Sequence, residues 1–311
     1  MQTRSLVVGS ATMDLALNMA RIPERGETVL DDGGVAYTPG GKGANAAVAF
    51  ARLGAESYLS AKIGMDVHGQ RLYKFYQEVG VATKYIKVDR ENPTGLAVVM
   101  KEPDGANRIV VYPGANSYLT IENVAEAFAA RPEAVFLNFE IPFATVVETA
   151  RLAKSRRIPV IVDPAPASAT HQLGALGEVE IFSPNETETY EYTGVMPQGS
   201  SSALQAAMAL YKKVNAKYIV IKQGERGAFV YNGKHHFVIP AMKAGKVVDT
   251  TAAGDTFTAA MTLEYLRTGD IREAVQYGVA AGAIAVSREG ASTSIPTEAE
   301  VRDLLRRYDF R

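Results

Sequence analysis

Residues 249–261, with the sequence DTTAAGDTFTAAM, place an acid directly after three small residues at the predicted start of a helix. The first turn of a helix leaves its backbone N–H groups without intrahelical partners, and these groups favour a bound phosphate. Ala252, Ala253 and Gly254 leave the backbone accessible to such a group. Asp255 beside the phosphate can take a proton from a hydroxyl group that attacks the phosphorus atom. The alternative is a structural role for Asp255 as a helix N-cap.

A glycine-rich segment, PGGKGANAAVA at residues 39–49, formally matches a dinucleotide-binding pattern. Gly41, Gly43 and Ala46 fit G-x-G-x-x-A, and Asp66 lies about twenty residues further on. That pattern should follow a buried central strand, whereas the preceding GVAYTP contains polar residues and ends in proline. We therefore reject a dinucleotide-dependent oxidoreductase.

The same segment does not match a Walker phosphate-binding loop, because Lys42 is followed by Gly43 rather than by Ser or Thr. Lys42 and Asn45 are polar residues among glycines, where a ligand can approach the backbone closely. This arrangement favours a ligand-binding loop over the alternative, a plain tight turn before a helix.

Two further polar clusters leave structural and functional roles open. In SPNETE, Asn185 can cap a helix and Glu188, three residues later, can complete a capping box. The same pair, one helical turn apart, can hold the water shell of Mg²⁺. In KQGERGAFVY, Gly224 and Gly227 after Lys222 indicate a tight turn that leads into a second strand.

Short apolar runs predict the strands that must position these clusters: SLVVGS, AVFLNFE, IPVIVDP, EIFSPN and KYIVIKQG. Most runs are separated by about ten or more residues with helical spacing, which predicts an α/β fold with a mostly parallel sheet flanked by helices. Residues 27–41 and 94–116 interrupt this alternation, and Pro-Asp-Gly at 103–105 indicates a hairpin. We expect both segments to form a small separate β-sheet. Helical spacing predicts three helices near the C-terminus, at 256–270, 271–290 and 297–308.

The composition excludes several classes of protein. A formal charge of -1, from 33 Lys and Arg against 34 Asp and Glu, gives no general attraction to nucleic acid or to an anionic membrane. The count of cysteines is 0, which excludes thiolate catalysis, disulfides and cysteine-based zinc sites. The apolar stretch at 279–286 is far shorter than the roughly 20 residues that span a bilayer. The N-terminus lacks the pattern of a signal peptide, so we expect a globular cytoplasmic protein.

A series of ordered motifs resembles the ribokinase family of carbohydrate kinases, from the first predicted strand to the last helix. The motifs are GGKGAN at 40–45, GxDxxG at 64–69, PGAN at 113–116, DPAPA at 163–167, PNETE at 184–188, GERG at 224–227 and DTTAAGDTF at 249–257. The resemblance implies one Rossmann-like α/β kinase domain over 1–311, with a discontinuous β-sheet lid from about 12–38 and 94–114. It also implies a homodimer through that lid.

The resemblance implies ATP-dependent phosphorylation of the primary hydroxyl of a pentose, with D-ribose the first expectation. The alternatives within the family are 2-deoxyribose and another sugar or nucleoside. A sugar-binding regulator without catalysis is the alternative from a different class, although Asp255 and the residues before it argue for an enzyme.

The resemblance also implies roles for individual residues. Asp255 matches the base, and the N–H groups of Ala252, Ala253 and Gly254 match the anion hole for the transferred phosphoryl group. The expected sugar-binding residues are Thr12, Asp14, Gly41, Lys42, Asn45 and Glu140. The expected nucleotide, phosphate and Mg²⁺ residues are Asn185, Glu188, Lys222, Gly224 and Gly227. A K⁺ site is expected from Asp249, the carbonyls of Thr251, Val286 and Gly290, and Ser294.

One expected sugar-site position departs from the family pattern. The family usually has G-S-x-N-x-D after the first strand, whereas GSATMD places Thr12 at the asparagine position. A threonine offers a short hydroxyl group and a methyl group in place of a longer amide. We therefore expect weaker discrimination between ribose and 2-deoxyribose.

Overall fold

The computed structural model describes residues 2–102 and 107–308. The Pro-Asp-Gly sequence at 103–105, where a hairpin is predicted, lies outside the described residues.

The strands follow the chain in the order β1 (Arg4–Val8), β2 (Thr12–Asn18), β3 (Val35–Gly40), β4 (Glu56–Ser60), β5 (Lys62–Gly64), β6 (Lys87–Asp89), β7 (Gly95–Lys101), β8 (Asn107–Tyr112), β9 (Ala134–Leu137), β10 (Val160–Val162), β11 (Glu178–Phe182), β12 (Asn215–Lys222), β13 (Ala228–Tyr231) and β14 (His236–Ile239). The α-helices are α1 (Lys42–Arg52), α2 (Val67–Glu78), α3 (Ile121–Ala125), α4 (Phe143–Ser155), α5 (Glu186–Thr193), α6 (Ser200–Lys213), α7 (Ala253–Thr268), α8 (Ile271–Ala285) and α9 (Glu298–Arg307). Short 3₁₀ helices lie at Gly114–Tyr118, Glu126–Ala130, Leu173–Leu176 and Gly224–Arg226.

The main sheet has eight strands in the order β14-β13-β12-β11-β10-β9-β1-β4. The strands from β4 to β12 in this order are parallel, and β13 and β14 add an antiparallel edge. In β1, Val7 contributes to the core on one face of the sheet, and Leu6 and Val8 contribute to the core on the other. Helices cover both faces, so the successive side chains of Leu6, Val7 and Val8 are all apolar. The predicted α/β fold with a mostly parallel sheet is confirmed.

A separate four-stranded sheet has the order β3-β2-β7-β8. Strand β2 pairs antiparallel with β3 and parallel with β7, and β7 pairs antiparallel with β8. Of the predicted segment 27–41, only Val35–Gly40 is a strand. The residues before it turn back instead, because the Asp31 carboxylate accepts hydrogen bonds from Ala20 N and Gly33 N.

The three predicted C-terminal helices are present with shifted ends. Helix α7 begins at Ala253, three residues before the predicted start, and α8 ends at Ala285 rather than near residue 290. Thr297 and Glu300 form a capping box that fixes the start of α9. Within the described ranges, no helix is long and apolar enough to cross a membrane.

Candidate active site

Polar residues collect where the parallel strands of the main sheet end, which is the usual ligand-binding edge of an open α/β sheet. The residues that follow or end these strands are Glu140 after β9, Asp163 after β10, Asn185 after β11 and Lys222 in β12. The first turns of α7 lie at the same edge, because Lys222 Nζ is 3.3 Å from Thr258 Oγ1.

Asp255 is a buried residue in the first turn of α7, with 4% of its surface exposed. Its Oδ2 accepts a hydrogen bond of 2.9 Å from Asn45 Nδ2, and its Oδ1 lies 3.8 Å from Lys42 Nζ. The helix N-cap is Ala252 rather than Asp255. The structural alternative for Asp255 is therefore wrong, and its carboxylate instead joins α7 to α1.

The charges around Asp255 adjust its basicity. Burial raises the pKa of the Asp255 carboxyl, and the negative charges of Asp163 and Glu140 raise it further. The Lys42 ammonium and the Asn45 hydrogen bond act in the opposite direction. Asp255 in turn raises the pKa of Lys42. A carboxylate in these surroundings accepts a proton more readily than one in water.

The glycine-rich loop before α1 packs tightly against the loop that follows β1. Gly41 has a φ of 91°, and a Cβ there would lie 2.9 Å from Thr12 N. A Cβ on Gly43 would lie 2.6 Å from Ser10 N. Only glycine allows this approach, which sets Asn45 against Asp255. The loop follows β3 of the small sheet rather than a strand of the main sheet. This placement agrees with the rejection of a dinucleotide-binding site.

Glu140 is held against the start of α1. Its Oε2 accepts a hydrogen bond of 2.9 Å from Lys42 N and a second hydrogen bond from the Ser10 hydroxyl. The adjoining loop is anchored by Asn116 of the PGAN motif, whose side chain forms two 2.9 Å hydrogen bonds with the backbone of Ala11. These bonds fix the entrance to β2.

Asp14 of β2 is a third carboxylate at this site. Burial raises its pKa to about 6, the hydrogen bond from Thr12 lowers it, and the charges of Glu140 and Asp255 raise it. The Thr12 hydroxyl donates to Asp14 Oδ1 at 2.9 Å. A Cβ on Gly40 would lie 2.1 Å from Asp14 Oδ2, so glycine at this position leaves room for the carboxylate. The predicted sugar-binding residues thus lie in one cluster.

The turn before Asp255 has an unusual backbone. Ala252 has a left-handed backbone conformation, with a φ of 58°. The Ala253 N–H makes a long 3.3 Å hydrogen bond to Thr250 O within the turn. A Cβ on Gly254 would lie 3.6 Å from Lys222 Nζ, which places an ammonium group beside this helix N-terminus. Both features suit an anionic group at the start of α7.

The Lys222 ammonium is fixed by Asp163, with 2.6 Å between Nζ and Oδ2. Asp163 also accepts a 2.8 Å hydrogen bond from the Thr258 hydroxyl. Gly224 lies in the turn after Lys222, and Gly227 has a φ of 89°. A Cβ on Gly227 would lie 2.0 Å from Ile239 O, so this glycine permits close contact with β14.

Asn185 and Glu188 form a complete capping box at the start of α5. Asn185 Oδ1 accepts from Glu188 N at 2.8 Å, and Glu188 Oε2 accepts from Asn185 N at 2.7 Å. Burial raises the pKa of Glu188, and Lys222 lowers it. The structural role is therefore realised, and the Mg²⁺ role stays a prediction. A buried carboxylate beside other acids has the oxygen chemistry that water-bound Mg²⁺ accepts.

Most of the predicted K⁺ site lies together. Asp249 Oδ1 accepts from Thr251 N at 2.9 Å, and Asp249 Oδ2 accepts from Gly290 N at 3.3 Å. The Val286 carbonyl accepts from Asp249 N at 3.3 Å. The hydroxyl of Ser294 donates to Ala291 O within the loop. The atoms that would bind the ion are carboxylate, carbonyl and hydroxyl oxygens, which hard cations prefer, so the residues fit the predicted ion.

An unpredicted lysine also reaches this site from the small sheet. Lys101, at the end of β7, places Nζ 3.4 Å from Asp249 Oδ2. Burial opposes ionisation of the Asp249 carboxyl, but the hydrogen bonds from Thr251 and then the charge of Lys101 lower its pKa. Sequence reasoning also did not assign Asp163 and Ser292 to the site. The place of Asp163 at the end of a predicted parallel strand could have indicated it.

A buried carboxylate lies beside a helix N-terminus at the carboxyl edge of a parallel sheet, an arrangement that suits an α/β phosphotransferase. The chain matches the pfkB family of carbohydrate kinases over residues 2–298. It belongs to this family and is a sugar kinase.

Known proteins similar to the chain include two curated kinases and one solved structure. The ribokinase of Haemophilus influenzae is 34% identical over 302 residues, which cover 96% of this chain and 97% of that protein. The deoxyribokinase of Salmonella typhi is 28% identical over 96% of this chain and 97% of that protein. A structure of Arabidopsis thaliana ribokinase complexed with ribose and ATP has a TM-score of 0.90 and 31% identity, covering 98% of this chain and 99% of that chain. The predicted fold family is confirmed.

Proposed function

We propose that the protein transfers the γ-phosphoryl group of ATP to the primary hydroxyl of D-ribose, giving D-ribose 5-phosphate and ADP. The observation that carries this proposal is the contact of the Asp255 carboxylate with both Asn45 and Lys42 at the start of α7. The similarity to a ribokinase complexed with ribose and ATP supports both substrates.

In the proposed reaction, Asp255 takes the proton of the primary hydroxyl as its oxygen bonds to the γ-phosphorus. The bond from this phosphorus to the bridging oxygen breaks, and ADP leaves with that electron pair. The N-terminal turn at 252–254 stabilises charge on the transferred group through backbone N–H groups. The adjacent Lys222 ammonium supplies a positive charge at the same place.

The sugar is proposed to lie among the loop residues and carboxylates around Asp255. Asp14 and Glu140 accept hydrogen bonds from its hydroxyl groups, and Asn45 and Lys42 donate to its oxygens. Gly41 allows the sugar to approach the backbone, and Thr12 faces the ring. The small sheet covers this site as a lid, within one kinase domain that spans 1–311.

ATP is proposed to bind beside Asn185, Lys222, Gly224 and Gly227. Four acids act on Lys42, since the charges of Asp255, Glu140, Asp163 and Glu188 all raise its pKa. A polyphosphate without a metal ion would be repelled here. Glu188 would hold Mg²⁺ through the water shell of the ion, and the bound ion would neutralise charge on the phosphates.

A monovalent cation, K⁺, is proposed at Asp249, Thr251, Val286, Gly290 and Ser294. A cation at these residues would stabilise the backbone that leads into α7 without contacting the substrates. Lys101 already contributes positive charge at Asp249, so the ion has to share this carboxylate.

A homodimer through the small sheet is proposed from its exposed apolar residues. Val35 is 63% exposed, and Val110 of the edge strand β8 is 61% exposed. An exposed apolar edge strand favours pairing with a second copy of the chain. Light scattering is expected to give the mass of a dimer, and a monomer at all concentrations would contradict this.

Cytoplasmic location is proposed from the composition, which offers no attraction to membranes or nucleic acid.

A second candidate substrate is 2-deoxyribose, favoured by Thr12 and by the similarity to a deoxyribokinase. Release of ADP from MgATP over a panel of pentoses, hexoses and nucleosides tests both candidates. We expect the highest kcat/KM with D-ribose and the next highest with 2-deoxyribose. Sugar binding without ADP release would instead support the non-catalytic regulator.

A further inference from the structure

Ser292 lies at one end of a hydrogen-bond chain that reaches the base. Its hydroxyl is buried and donates to Asn45 Oδ1 at 2.9 Å. Asn45 Nδ2 then donates to Asp255 Oδ2 at 2.9 Å. The three residues come from the loop after α8, from α1 and from α7, and Ser292 is 247 positions from Asn45 along the chain.

The two ends of the Asn45 amide are not equivalent. The Oδ1 atom can only accept hydrogen bonds and the Nδ2 group can only donate them. Because Asn45 is 5% exposed, water replaces a lost protein partner poorly. Ser292 satisfies Oδ1 and so holds the amide in the orientation that presents Nδ2 to Asp255.

We propose that Ser292 is a positioning residue for phosphoryl transfer, which acts through Asn45 to orient and stabilise the ionised Asp255 carboxylate. The proposal rests on the proposed function, since it takes Asp255 to be the base. It also connects the loop of the candidate K⁺ site to the reacting group, although Ser292 itself contacts neither substrate nor ion.

Several other charged groups act on Asp255 and set the background for a pH test. Lys42 from α1 favours the ionised form, and Asp163 and Glu140 from the strand ends oppose it. Asp14 from β2 is a further negative group whose pKa is raised by Asp255. None of these side chains has a hydrogen bond to Ser292 in the described part of the chain. The other hydrogen bond of the Ser292 hydroxyl, to Pro39 O, is longer at 3.5 Å. Loss of the hydroxyl is therefore expected to act on Asp255 mainly through Asn45.

The test is the pH dependence of kcat for Ser292→Ala at saturating sugar and MgATP. We expect the acidic limb to move to higher pH by about half a unit, so that kcat falls about threefold at low pH. At high pH, kcat is expected within about twofold of the wild type, because Asp255 is then ionised in both proteins. An unchanged acidic limb, or a loss of kcat that is equal at all pH values, would overturn the proposal.

Thr293→Ala is the matched control. Thr293 is the next residue of the same loop, is exposed, and donates to the Glu289 carbonyl at 3.3 Å. Its removal is expected to leave the acidic limb in place. If Ser292→Ala does not fold, Ser292→Cys has a similar size and a much weaker donor, and the same shift is expected.

A second measurement does not depend on catalysis. The side-chain amide resonance of Asn45, assigned by its absence in Asn45→Ala, is followed by ¹⁵N NMR as the pH changes. We expect it to titrate with Asp255 in the wild type and at higher pH in Ser292→Ala. A wild-type protein inactive on every sugar would refute the proposed function, whereas an identical titration in both proteins would refute the role of Ser292.

Discussion

Replacing Asp14 by asparagine is expected to stabilise the protein at neutral pH while weakening sugar binding. Burial raises the pKa of Asp14 from 3.8 to about 6 in the folded protein. The ionised carboxylate is therefore less stable in the fold than in the unfolded chain. An asparagine removes this charge and retains an oxygen that can accept the hydrogen bond from Thr12.

The size of the effect follows from the pKa difference. A difference of about two units corresponds to about 3 kcal/mol, at about 1.4 kcal/mol for each unit. Because a buried amide also loses hydration, we expect Asp14→Asn to raise the free energy of unfolding by about 1 to 3 kcal/mol at about pH 7.5. As the pH falls below about 6, folded wild type takes up the proton before the unfolded chain does. The advantage of the mutant is therefore lost between about pH 6 and about pH 4.

Urea unfolding followed by far-UV circular dichroism measures this difference, since the chain has 0 tryptophans for fluorescence. Asp66→Asn is a control of opposite sign, because Gly69 N–H and Thr94 N–H bind the Asp66 carboxylate and lower its pKa against the effect of burial. We expect that control to be less stable at neutral pH. An Asp14→Asn protein that is no more stable than the wild type at about pH 7.5 would refute the reasoning. A KM for the sugar that is the same in mutant and wild type would also refute it.

Three further substitutions test other parts of the site. Thr12→Asn is expected to raise the ratio of kcat/KM for ribose over 2-deoxyribose about tenfold, or about 1.4 kcal/mol, and an unchanged ratio would exclude Thr12 from hydroxyl selectivity. Gly254→Val is expected to lower kcat with little change in ATP affinity, because the added side chain would lie at the turn that is proposed to stabilise the transferred group; a pure binding defect would contradict this. Replacing Na⁺ with K⁺ is expected to raise activity. Lys101→Met is expected to increase this activation by K⁺, because the Asp249 carboxylate then no longer pairs with the Lys101 ammonium. Isothermal titration of K⁺ into both proteins measures the competition directly, and equal affinities would contradict it.

The sequence predicts the parts of this fold that depend on local patterns. Apolar runs bounded by turn residues identify the central strands, and helical spacing identifies α7, α8 and α9. Glu140 and Lys222 could be placed at one edge because both lie at the ends of predicted strands. The glycines around Lys42 indicate close approach of the backbone, which the contact of Gly43 with the loop after β1 explains.

Contacts between distant loops could not be predicted in the same way. The Ser292 hydroxyl meets Asn45 only because the loop after α8 packs over α1, and no local pattern records that packing. The ion pair between Lys101 and Asp249 likewise joins the small sheet to a loop of the main body. The roles of Asn185 and Glu188 could not be predicted for a different reason. Their spacing of three residues suits both a capping box and a ligand site, so the sequence alone does not choose between them.

The central claim is that Asp255 is the base for phosphoryl transfer, and the turnover of Asp255→Asn tests it most directly. ADP release is measured at saturating D-ribose and MgATP, with ATP affinity measured separately by calorimetry. Asparagine keeps the size of the side chain but cannot take the proton of the hydroxyl group. We predict a fall in kcat of about 10²-fold or more with nearly unchanged ATP affinity and fold. Near-normal phosphorylation of ribose by this variant would contradict the account.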